Sequence, residues 1–248
     1  SRVLLDKEYK PDYNIGFPAK RITTQLEWED MVLDYQVATE LEEINVWISS
    51  GKTVMEDWGL SRILKAGYRS LFYGPPGTGK TLAATLLGKK NEMDVYRIDL
   101  SMIVSKYIGE TEKNLAKVFD LAENRNWILF FDEADALFGK RTSTNTSNDR
   151  HANQEVAYLL QRIEDFPGMV ILATNLRSNI DEAFSRRFQS VVYFPMPTEE
   201  QRAELWRNML PGKWLGKDAE ELITMAAETE LSGGAITNVV RRCALRMI

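Results

Sequence analysis

The sequence predicts an α/β fold in which a parallel sheet is covered by helices on both faces and is followed by a small, all-helical lid domain. Through the middle of the chain, short apolar runs alternate with segments of helical periodicity, which is typical of a buried parallel sheet. The predicted strands are "RSLFY" (69–73), "VYRIDL" (95–100), "WILFF" (127–131), "MVILATN" (169–175) and "SVVYF" (190–194). After Pro195 the pattern becomes purely helical, over about 198–210, 217–229 and 234–248.

These changes of pattern divide the 248 residues into three parts. Residues 1–27 are expected to form an extended arm, because Pro11, Gly16 and Pro18 interrupt any period. Residues 28–196 form the predicted α/β nucleotide-binding domain. Residues 197–248 form the predicted helical lid, which stops within a helix and is expected to be truncated.

Two of the predicted helices carry a clear apolar face. Within residues 28–49, this face consists of Val37, Leu41, Ile44 and Ile48, so the helix is expected to pack on another part of the protein. In the last helix, Cys243 continues the stripe of Ile236, Val239 and Val240. We therefore expect Cys243 in the core rather than as a reactive thiol.

Composition narrows the classes of function. Hydrophobic residues make up 44% and charged residues 27% of the chain, which is ordinary for a globular protein. The net charge of −5 argues against a dedicated nucleic-acid surface. No apolar run approaches the ~20 residues that span a bilayer, and no signal-peptide core is evident, so a cytoplasmic protein is expected. With His151 as its single histidine, the chain has no His-x-x-x-His zinc site, and the one metal expected is magnesium with nucleotide.

A glycine-rich turn lies between the first predicted strand and the helix formers "LAATLL". Its sequence "GPPGTGKT" (74–81) fits G-x-x-x-x-G-K-[ST], in which backbone N–H groups and a helix N-terminus surround phosphate oxygens. Lys80 is expected to reach the outer phosphates of ATP and Thr81 to hold magnesium. The predicted nucleotide-binding residues are consecutive: Gly74, Pro75, Pro76, Gly77, Thr78, Gly79, Lys80, Thr81 and Leu82. A turn that ends in Lys-Thr by chance is the alternative, which the flanking strand and helix disfavour.

A second chemical motif, "ILFFDEAD", places carboxylates directly after an apolar strand. Such a strand is central, and ligands of open α/β sheets bind at the carboxyl ends of the strands. Asp132 is therefore expected to hold the magnesium ion, and Glu133 to polarise the water that attacks the γ-phosphate. The alternative is a loop of solvated acids, which the upstream phosphate loop disfavours.

Four motifs in this order, "GPPGTGKT", "FFDEAD", "ATN" and "IDEAFSRRF", resemble the AAA+ ATPases, in particular the branch that includes katanin, spastin and the ESCRT-disassembling ATPase. The likeness extends from about Trp28 to the end of the chain. Residues 105–141 look most like the bacterial single-domain ATPases found with contractile injection systems. The resemblance implies a P-loop NTPase core and a homo-oligomer, expected to be a hexamer, that acts on a polypeptide client.

The resemblance also assigns roles at the catalytic site. It implies that Asn175 helps to orient the attacking water and that Arg187, with Arg186 beside it, reaches the γ-phosphate in the neighbouring subunit. The sequence departs from the family at Ser190, where a second arginine is usual, so a two-arginine arrangement is expected only if Arg186 substitutes. Paired surface arginines near a helix end are the alternative. The implied catalytic residues are Lys80, Glu133, Asn175, Arg186 and Arg187.

Further assignments concern the nucleoside and the client. Gly234 and Ala235 match the pair that packs near ribose and adenine, while Ile236 stands where relatives carry an acidic residue. A loop that lines the central pore and grips a polypeptide is implied for Lys106, Tyr107, Ile108 and Gly109. The alternative for Tyr107 and Ile108 is a hydrophobic staple before a helix. The polar residues 139–151 correspond either to a second pore loop or to a surface excursion.

Three classes of function follow from these residues. The first is an ATP-driven ring that remodels, disassembles or translocates proteins, and it is favoured by the catalytic residues and the aromatic pore loop. The second is a nucleotide-gated assembly scaffold with weak hydrolysis, which Ser190 leaves open. The third is a nucleic-acid motor of the wider AAA+ group, which the acidic balance disfavours. The sequence identifies neither the client nor the pathway.

Overall fold

The computed structural model describes residues 19–100, 110–123, 125–135, 157–175, 182–214, 216 and 218–247. The strands are β1 (Ala19–Ile22), β2 (Tyr68–Tyr73), β3 (Asp94–Asp99), β4 (Trp127–Asp132), β5 (Met169–Thr174) and β6 (Ser190–Tyr193). The helices are α1 (Tyr35–Met55), α2 (Lys80–Lys90), α3 (Glu110–Glu123), α4 (157–165), α5 (Glu182–Ser185), α6 (Glu199–Met209), α7 (Ala219–Glu228) and α8 (Gly233–Arg246). Short 3-10 turns lie at Trp28–Asp30, Leu60–Arg62 and Gly212–Trp214.

The strands form one six-stranded sheet in the order β1-β3-β4-β5-β2-β6. From β3 to β6, neighbouring strands are parallel, which confirms the predicted α/β class. Strand β1 pairs antiparallel with β3, so part of the arm predicted to be only extended belongs to the sheet. Its sequence "AKRI" has no apolar run, and its two apolar residues, Ala19 and Ile22, pack against the cores on the two faces of the sheet. An ion pair between Arg21 and Asp94, at 2.5 Å, joins it to β3.

Both faces of the sheet are buried, because successive side chains of a strand point to opposite sides. In β4, Leu129 and Phe131 pack in one core with residues of α3 and α4. Ile128 and Phe130 pack in a second core with residues of α1 and α2. The two layers of helices explain why the strands read as continuous apolar runs. They also leave the carboxyl ends of the strands as the edge where polar residues collect.

The helices after Pro197 share a core of their own. Trp206 on α6, Ile223 and Ala227 on α7, and Ile236 on α8 form a separate buried cluster. The buried Arg202 ties this cluster together, since its Nε donates to the Ala227 carbonyl at 2.6 Å. This separate core supports the division after residue 196 and the interpretation of residues 197–248 as a lid domain, which we keep as a proposal.

The expectation that Cys243 lies in the core is wrong. Its thiol is exposed, and Val239 on the same predicted stripe is 39% exposed. Helix α8 buries Ile236 near its start and packs Val240 partly against the cluster that it forms with α6 and α7, whereas Leu245 further along is 70% exposed. The stripe therefore predicted the direction of packing but not how far along the helix it continues.

Several predictions fall on residues that the structure does not describe. They include the proposed pore loop at 106–109, the polar segment 139–151 and residues 1–18 of the arm. Among the helices that are described, none combines the length and the apolar character needed to cross a bilayer.

Candidate active site

The turn between β2 and α2 uses glycine where other residues would be strained. Gly74, Gly77 and Gly79 have φ angles of 144°, 76° and 104°, which side chains disfavour. A Cβ on Gly74 would also lie 2.1 Å from the carbonyl oxygen of Phe194. These conformations bring the loop backbone around the start of α2, whose unpaired N–H groups favour an anion. The local geometry is therefore that of a phosphate-binding loop.

Lys80, the first residue of α2, is buried and points back along this loop. Its Nζ donates to the carbonyl oxygens of Gly74 at 2.8 Å and Pro75 at 2.9 Å. Burial lowers the pKa of Lys80 to about 8, while the charges of Asp132 and Asp135 act in the opposite direction. The positive charge of the Lys80 ammonium is therefore only partly compensated by Asp132 and Asp135, and an anion bound in the loop would interact with it favourably.

The end of β4 presents two carboxylates in different ways. Asp132 is held at both oxygens: Oδ1 accepts from the Glu133 N–H at 2.9 Å, and Oδ2 pairs with Nη2 of Arg97 at 2.8 Å. Glu133 has a φ of 53° and an exposed side chain. This left-handed backbone costs a non-glycine residue ~1–3 kcal/mol, and such strain is concentrated at functional sites. Both Asp132 and the exposed Glu133 line the same cavity.

The loop after β4 is fastened to the end of β5. The Thr174 hydroxyl donates to the Asp135 carboxylate, and the Ala134 N–H donates to the Ala173 carbonyl at 2.9 Å. Asn175 follows directly and is exposed. Because β4 and β5 are neighbours in the sheet, these bonds fix Asn175 beside the two carboxylates.

A cavity of about 450 Å³ contains most of the predicted residues. Those that line it are Pro76, Gly77, Thr78, Gly79, Lys80, Thr81, Leu82, Asp132, Glu133, Asn175 and Gly234. Gly74 and Pro75 lie behind the cavity and contribute the carbonyls that accept from Lys80. Ala235 lies next to the lining, where its N–H contacts the Ser232 hydroxyl at 3.4 Å. The structure thus brings the phosphate loop, the carboxylates and Asn175 to one site.

Residues 70–196 match the ATPase family associated with various cellular activities (AAA). The chain belongs to the AAA family of ATPases. Its fold agrees with the crystal structure of the FIGL-1 AAA domain, with a TM-score of 0.69 at 25% identity over 91% of this chain and 74% of that chain. Membership in this family of ATPases supports the interpretation of the cavity as the nucleotide-binding site, which we keep as a proposal.

Curated relatives match this AAA chain over part of their length. Cell division protein C of Sulfolobus acidocaldarius is 42% identical over 146 residues, which cover 54% of this chain and 38% of the relative. Vacuolar protein sorting-associated protein 4B of Mus musculus is 34% identical over 179 residues, with coverage of 71% and 40%. Proteasome-activating nucleotidase of Archaeoglobus fulgidus is 36% identical over 172 residues, with coverage of 66% and 43%. The chain spans about two fifths of the length of these relatives.

One wall of the AAA nucleotide cavity was missed by sequence reasoning. It comes from the segment before α1 and includes Met31, Val32 and Leu33. Leu205 and Met209 of α6 line the same cavity, and apolar side chains of this kind suit the flat face of a base. Nothing in the segment's composition indicated a ligand, because the contact exists only once residues 26–34 fold over α2.

Helix α8 contacts the phosphate loop directly. The Gly234 N–H donates to the Gly77 carbonyl at 2.9 Å, and a Cβ on Gly77 would lie 2.5 Å from the Ser232 hydroxyl oxygen. Ser232 is also the N-cap of α8. The predicted Gly-Ala pair therefore lies against the loop that is expected to hold the phosphates.

The predicted arginines lie away from the cavity of their own chain. Arg187 pairs with Glu164 through Nη1 and Oε1 at 2.5 Å, and Arg186 beside it is exposed. Ser190 begins β6, and its hydroxyl is 2.6 Å from that of Ser70 on β2. The side chain at position 190 thus contacts the neighbouring strand β2.

The residues present fit a magnesium ion bound together with nucleotide. Asp132 and Thr81 supply hard oxygen donors on the same cavity. Within the described residues, no group of three or more His, Cys, Asp or Glu side chains could hold a metal by itself. Magnesium in nucleotide enzymes is held by one or two carboxylates together with substrate phosphates and water, so no such protein cage is required.

We expect ATP binding to take up protons above pH 8. Lys80 in the free protein loses its proton as the pH rises through its pKa of about 8, whereas bound phosphate raises the pKa of the same ammonium. Affinity should therefore fall as the pH increases above 8, and the proton uptake should disappear in Lys80→Arg, whose guanidinium stays charged. Calorimetry in buffers of different ionisation enthalpy measures the uptake. An affinity that is equal on both sides of pH 8 contradicts this assignment.

Proposed function

We propose that the protein is an ATP-hydrolysing ring ATPase that remodels, disassembles or translocates protein substrates, with each active site shared by adjacent subunits. The observation that carries the proposal is the cavity in which Lys80, Asp132, Glu133 and Asn175 meet. A binding site alone would need the phosphate loop, but not an exposed carboxylate and an amide beyond it. Those two groups are what hydrolysis adds to binding.

Each residue of the cavity has a distinct part in hydrolysis. The loop N–H groups and Lys80 bind the phosphates, and Asn175 orients the attacking water. Glu133 accepts the proton of that water as its oxygen attacks the γ-phosphorus, and the bond from this phosphorus to the bridging oxygen breaks, so that ADP leaves. Thr81 and Asp132 would hold the magnesium ion, which neutralises the charge that develops on the phosphates.

A neighbouring copy is required to complete this site. Arg187 does not line the cavity of its own chain, so a contact with a γ-phosphate requires the cavity of a second copy. In the single chain, Glu164 compensates the Arg187 charge. We therefore propose a homo-oligomeric ring, with a hexamer as the expected closed form, in which Arg187 acts on the adjacent nucleotide.

The names of the relatives support a polypeptide client. One is a proteasome-activating nucleotidase and another is a vacuolar protein sorting-associated protein, and both names concern the handling of proteins. The motifs also support placement in the branch of katanin and spastin, and residues 105–141 support an association with contractile injection systems. Sheath and baseplate genes beside the coding gene are expected if this narrower proposal is right.

One observation favours a second candidate, a nucleotide-gated scaffold with weak hydrolysis. Ser190 occupies the place of a second arginine, and its hydroxyl is 2.6 Å from that of Ser70 on the neighbouring strand, so a two-arginine arrangement would need Arg186 as the substitute. A single arginine would stabilise less of the charge of the transition state. The scaffold predicts slow turnover that a client protein does not accelerate.

Replacement of Tyr107 by alanine tests the remodelling function. An aromatic ring contacts varied side chains of an extended polypeptide, so its loss should remove client stimulation and remodelling. Basal hydrolysis should stay close to that of the wild type, because Tyr107 is not expected to touch ATP. The measurements are melting temperature, basal turnover and client-stimulated turnover on one preparation.

A conservative variant and an unrelated polymer sharpen this test. Tyr107→Phe should retain stimulation, because the ring rather than the hydroxyl makes the proposed contact. A lowered melting temperature with equally reduced basal turnover in Tyr107→Ala would instead identify a structural staple. Stimulation by DNA and not by unfolded protein would favour a nucleic-acid motor.

A further inference from the structure

An arginine from the neighbouring strand contacts the carboxylate that is expected to hold magnesium. Strands β3 and β4 are parallel, with Arg97 opposite Phe130 and Asp99 opposite Asp132. Arg97 and Asp132 therefore lie on the same face as diagonal neighbours, a spacing that long side chains can bridge. The Nη2 atom of Arg97 lies 2.8 Å from Oδ2 of Asp132.

The contact fixes the orientation of the carboxylate. With Arg97 at Oδ2 and the Glu133 N–H at Oδ1, each oxygen of Asp132 has one donor. A carboxylate offers about four lone-pair sites, so each oxygen keeps capacity for a metal ion or its water. Rotation of the carboxylate about its Cβ–Cγ bond would have to break both contacts, so together they favour the observed orientation.

Stability alone does not account for this arginine. The side chains of Arg97 and Asp132 are 41% and 17% exposed, and an ion pair whose cation is this accessible to water contributes little to folding. Its Nε atom is buried and has no hydrogen-bond partner among the residues that the structure describes, which is unfavourable. The burial of this Nε atom is therefore unfavourable for folding, but it accompanies a contact between the guanidinium and a carboxylate that lines the cavity.

We propose that Arg97 is a positioning residue for magnesium, which holds Asp132 in the orientation that the metal requires. The inference rests on the proposed function, because it takes Asp132 as the carboxylate that binds magnesium with ATP. Hydrogen-bond partners of metal-binding side chains fix their geometry, and their loss typically costs about 10- to 100-fold in metal affinity. The opposite effect is expected of a cation that merely competes with the metal for Asp132.

The test compares Arg97→Ala and Arg97→Lys with the control Arg21→Ala. Arg21 on β1 also pairs with an aspartate of β3, Asp94, and its side chain is 33% exposed. Its removal therefore deletes the same charge and an ion pair of the same sheet, at residues that do not line the cavity. Affinity for a non-hydrolysable fluorescent ATP analogue is measured in EDTA and across a magnesium titration. The magnesium concentration for half-maximal hydrolysis is measured in parallel.

In EDTA, we expect Arg97→Ala to bind the analogue with the affinity of the wild type. In the titration, it should need a magnesium concentration at least about 10-fold higher to reach the same gain in affinity. Arg97→Lys should lie between the two, because lysine keeps the charge without the planar fork. Arg21→Ala should behave as the wild type.

Two outcomes would overturn the role of Arg97. These are an unchanged magnesium requirement in Arg97→Ala, and a lower one, which would make Arg97 a competitor of the metal. A loss of affinity in EDTA as well as in magnesium would indicate structural damage, and if Arg97→Lys shared this loss, it would also count against a positioning role. If magnesium has no effect on nucleotide binding by the wild type itself, that result contradicts the proposed function rather than the role of Arg97.

Discussion

Replacement of Glu133 by glutamine is expected to stop ATP hydrolysis and to leave ATP bound. The amide preserves the size of the side chain but cannot accept the proton of the attacking water, so turnover should fall by about 10²- to 10⁴-fold. Asp132, Lys80 and the phosphate loop are unchanged, and affinity should stay near that of the wild type. The variant should accumulate an ATP-loaded assembly, which size-exclusion chromatography in ATP would show.

Glu92 provides a matched control for this substitution. It is an exposed glutamate with the same φ of 53°, located in the turn after α2 and outside the lining of the cavity. Glu92→Gln therefore makes the same chemical change at a residue with the same backbone φ, but outside the candidate active site. Turnover should remain normal in this control, and near-normal turnover in Glu133→Gln would show that another group activates the water.

The second large effect is expected for Arg187. An arginine that reaches the γ-phosphate from a neighbouring subunit contributes about 10³- to 10⁵-fold to phosphoryl transfer in related enzymes, and Arg187→Ala should lose turnover on that scale. Nucleotide binding should persist, since Arg187 does not line the cavity of its own chain. Stability should change little, because the Arg187 and Glu164 side chains are 45% and 35% exposed.

Mixed assemblies distinguish a contribution in trans from one in cis. A subunit with Arg187→Ala retains Glu133, and a subunit with Glu133→Gln retains Arg187, so a mixture contains interfaces with both intact groups. Turnover should therefore reappear when the two inactive variants are combined. A mixture that stays inactive contradicts the shared site. Arg207→Ala is the control, because Arg207 pairs with Glu220 at 2.9 Å on the exposed side of α6 and α7.

The elements that the sequence predicted well depend on local patterns. The central strands form from apolar runs that both helix layers bury, and the phosphate loop depends on glycines whose backbone angles few other residues adopt. These are properties of adjacent residues, so they can be recognised without the fold. The same holds for Asp132 and Glu133, which follow a buried strand directly.

The features that were missed depend on contacts between distant parts of the chain. The pairing of Arg187 with Glu164 and of Arg97 with Asp132 requires the register of the sheet and the position of α4. Met31 lines the cavity because the segment before α1 lies over α2. Lys89 fixes that segment by donating to the Leu26 carbonyl at 2.9 Å. No periodicity records such contacts, because they arise from topology and not from neighbouring residues.

The hydrogen bond between Gly77 and Gly234 connects the phosphate loop directly to α8, which shares a core with α6 and α7. A shift of the loop on gaining or losing a phosphate must either break this bond or carry α8 with it. A Cβ on Gly234 would lie 3.1 Å from the Gly77 Cα atom, so the two segments approach this closely because neither residue has a side chain. A shift of the loop that keeps the bond would thus also displace the helices that share a core with α8. By thermodynamic reciprocity, a load that holds those helices still would change the affinity of the loop for nucleotide by the same factor.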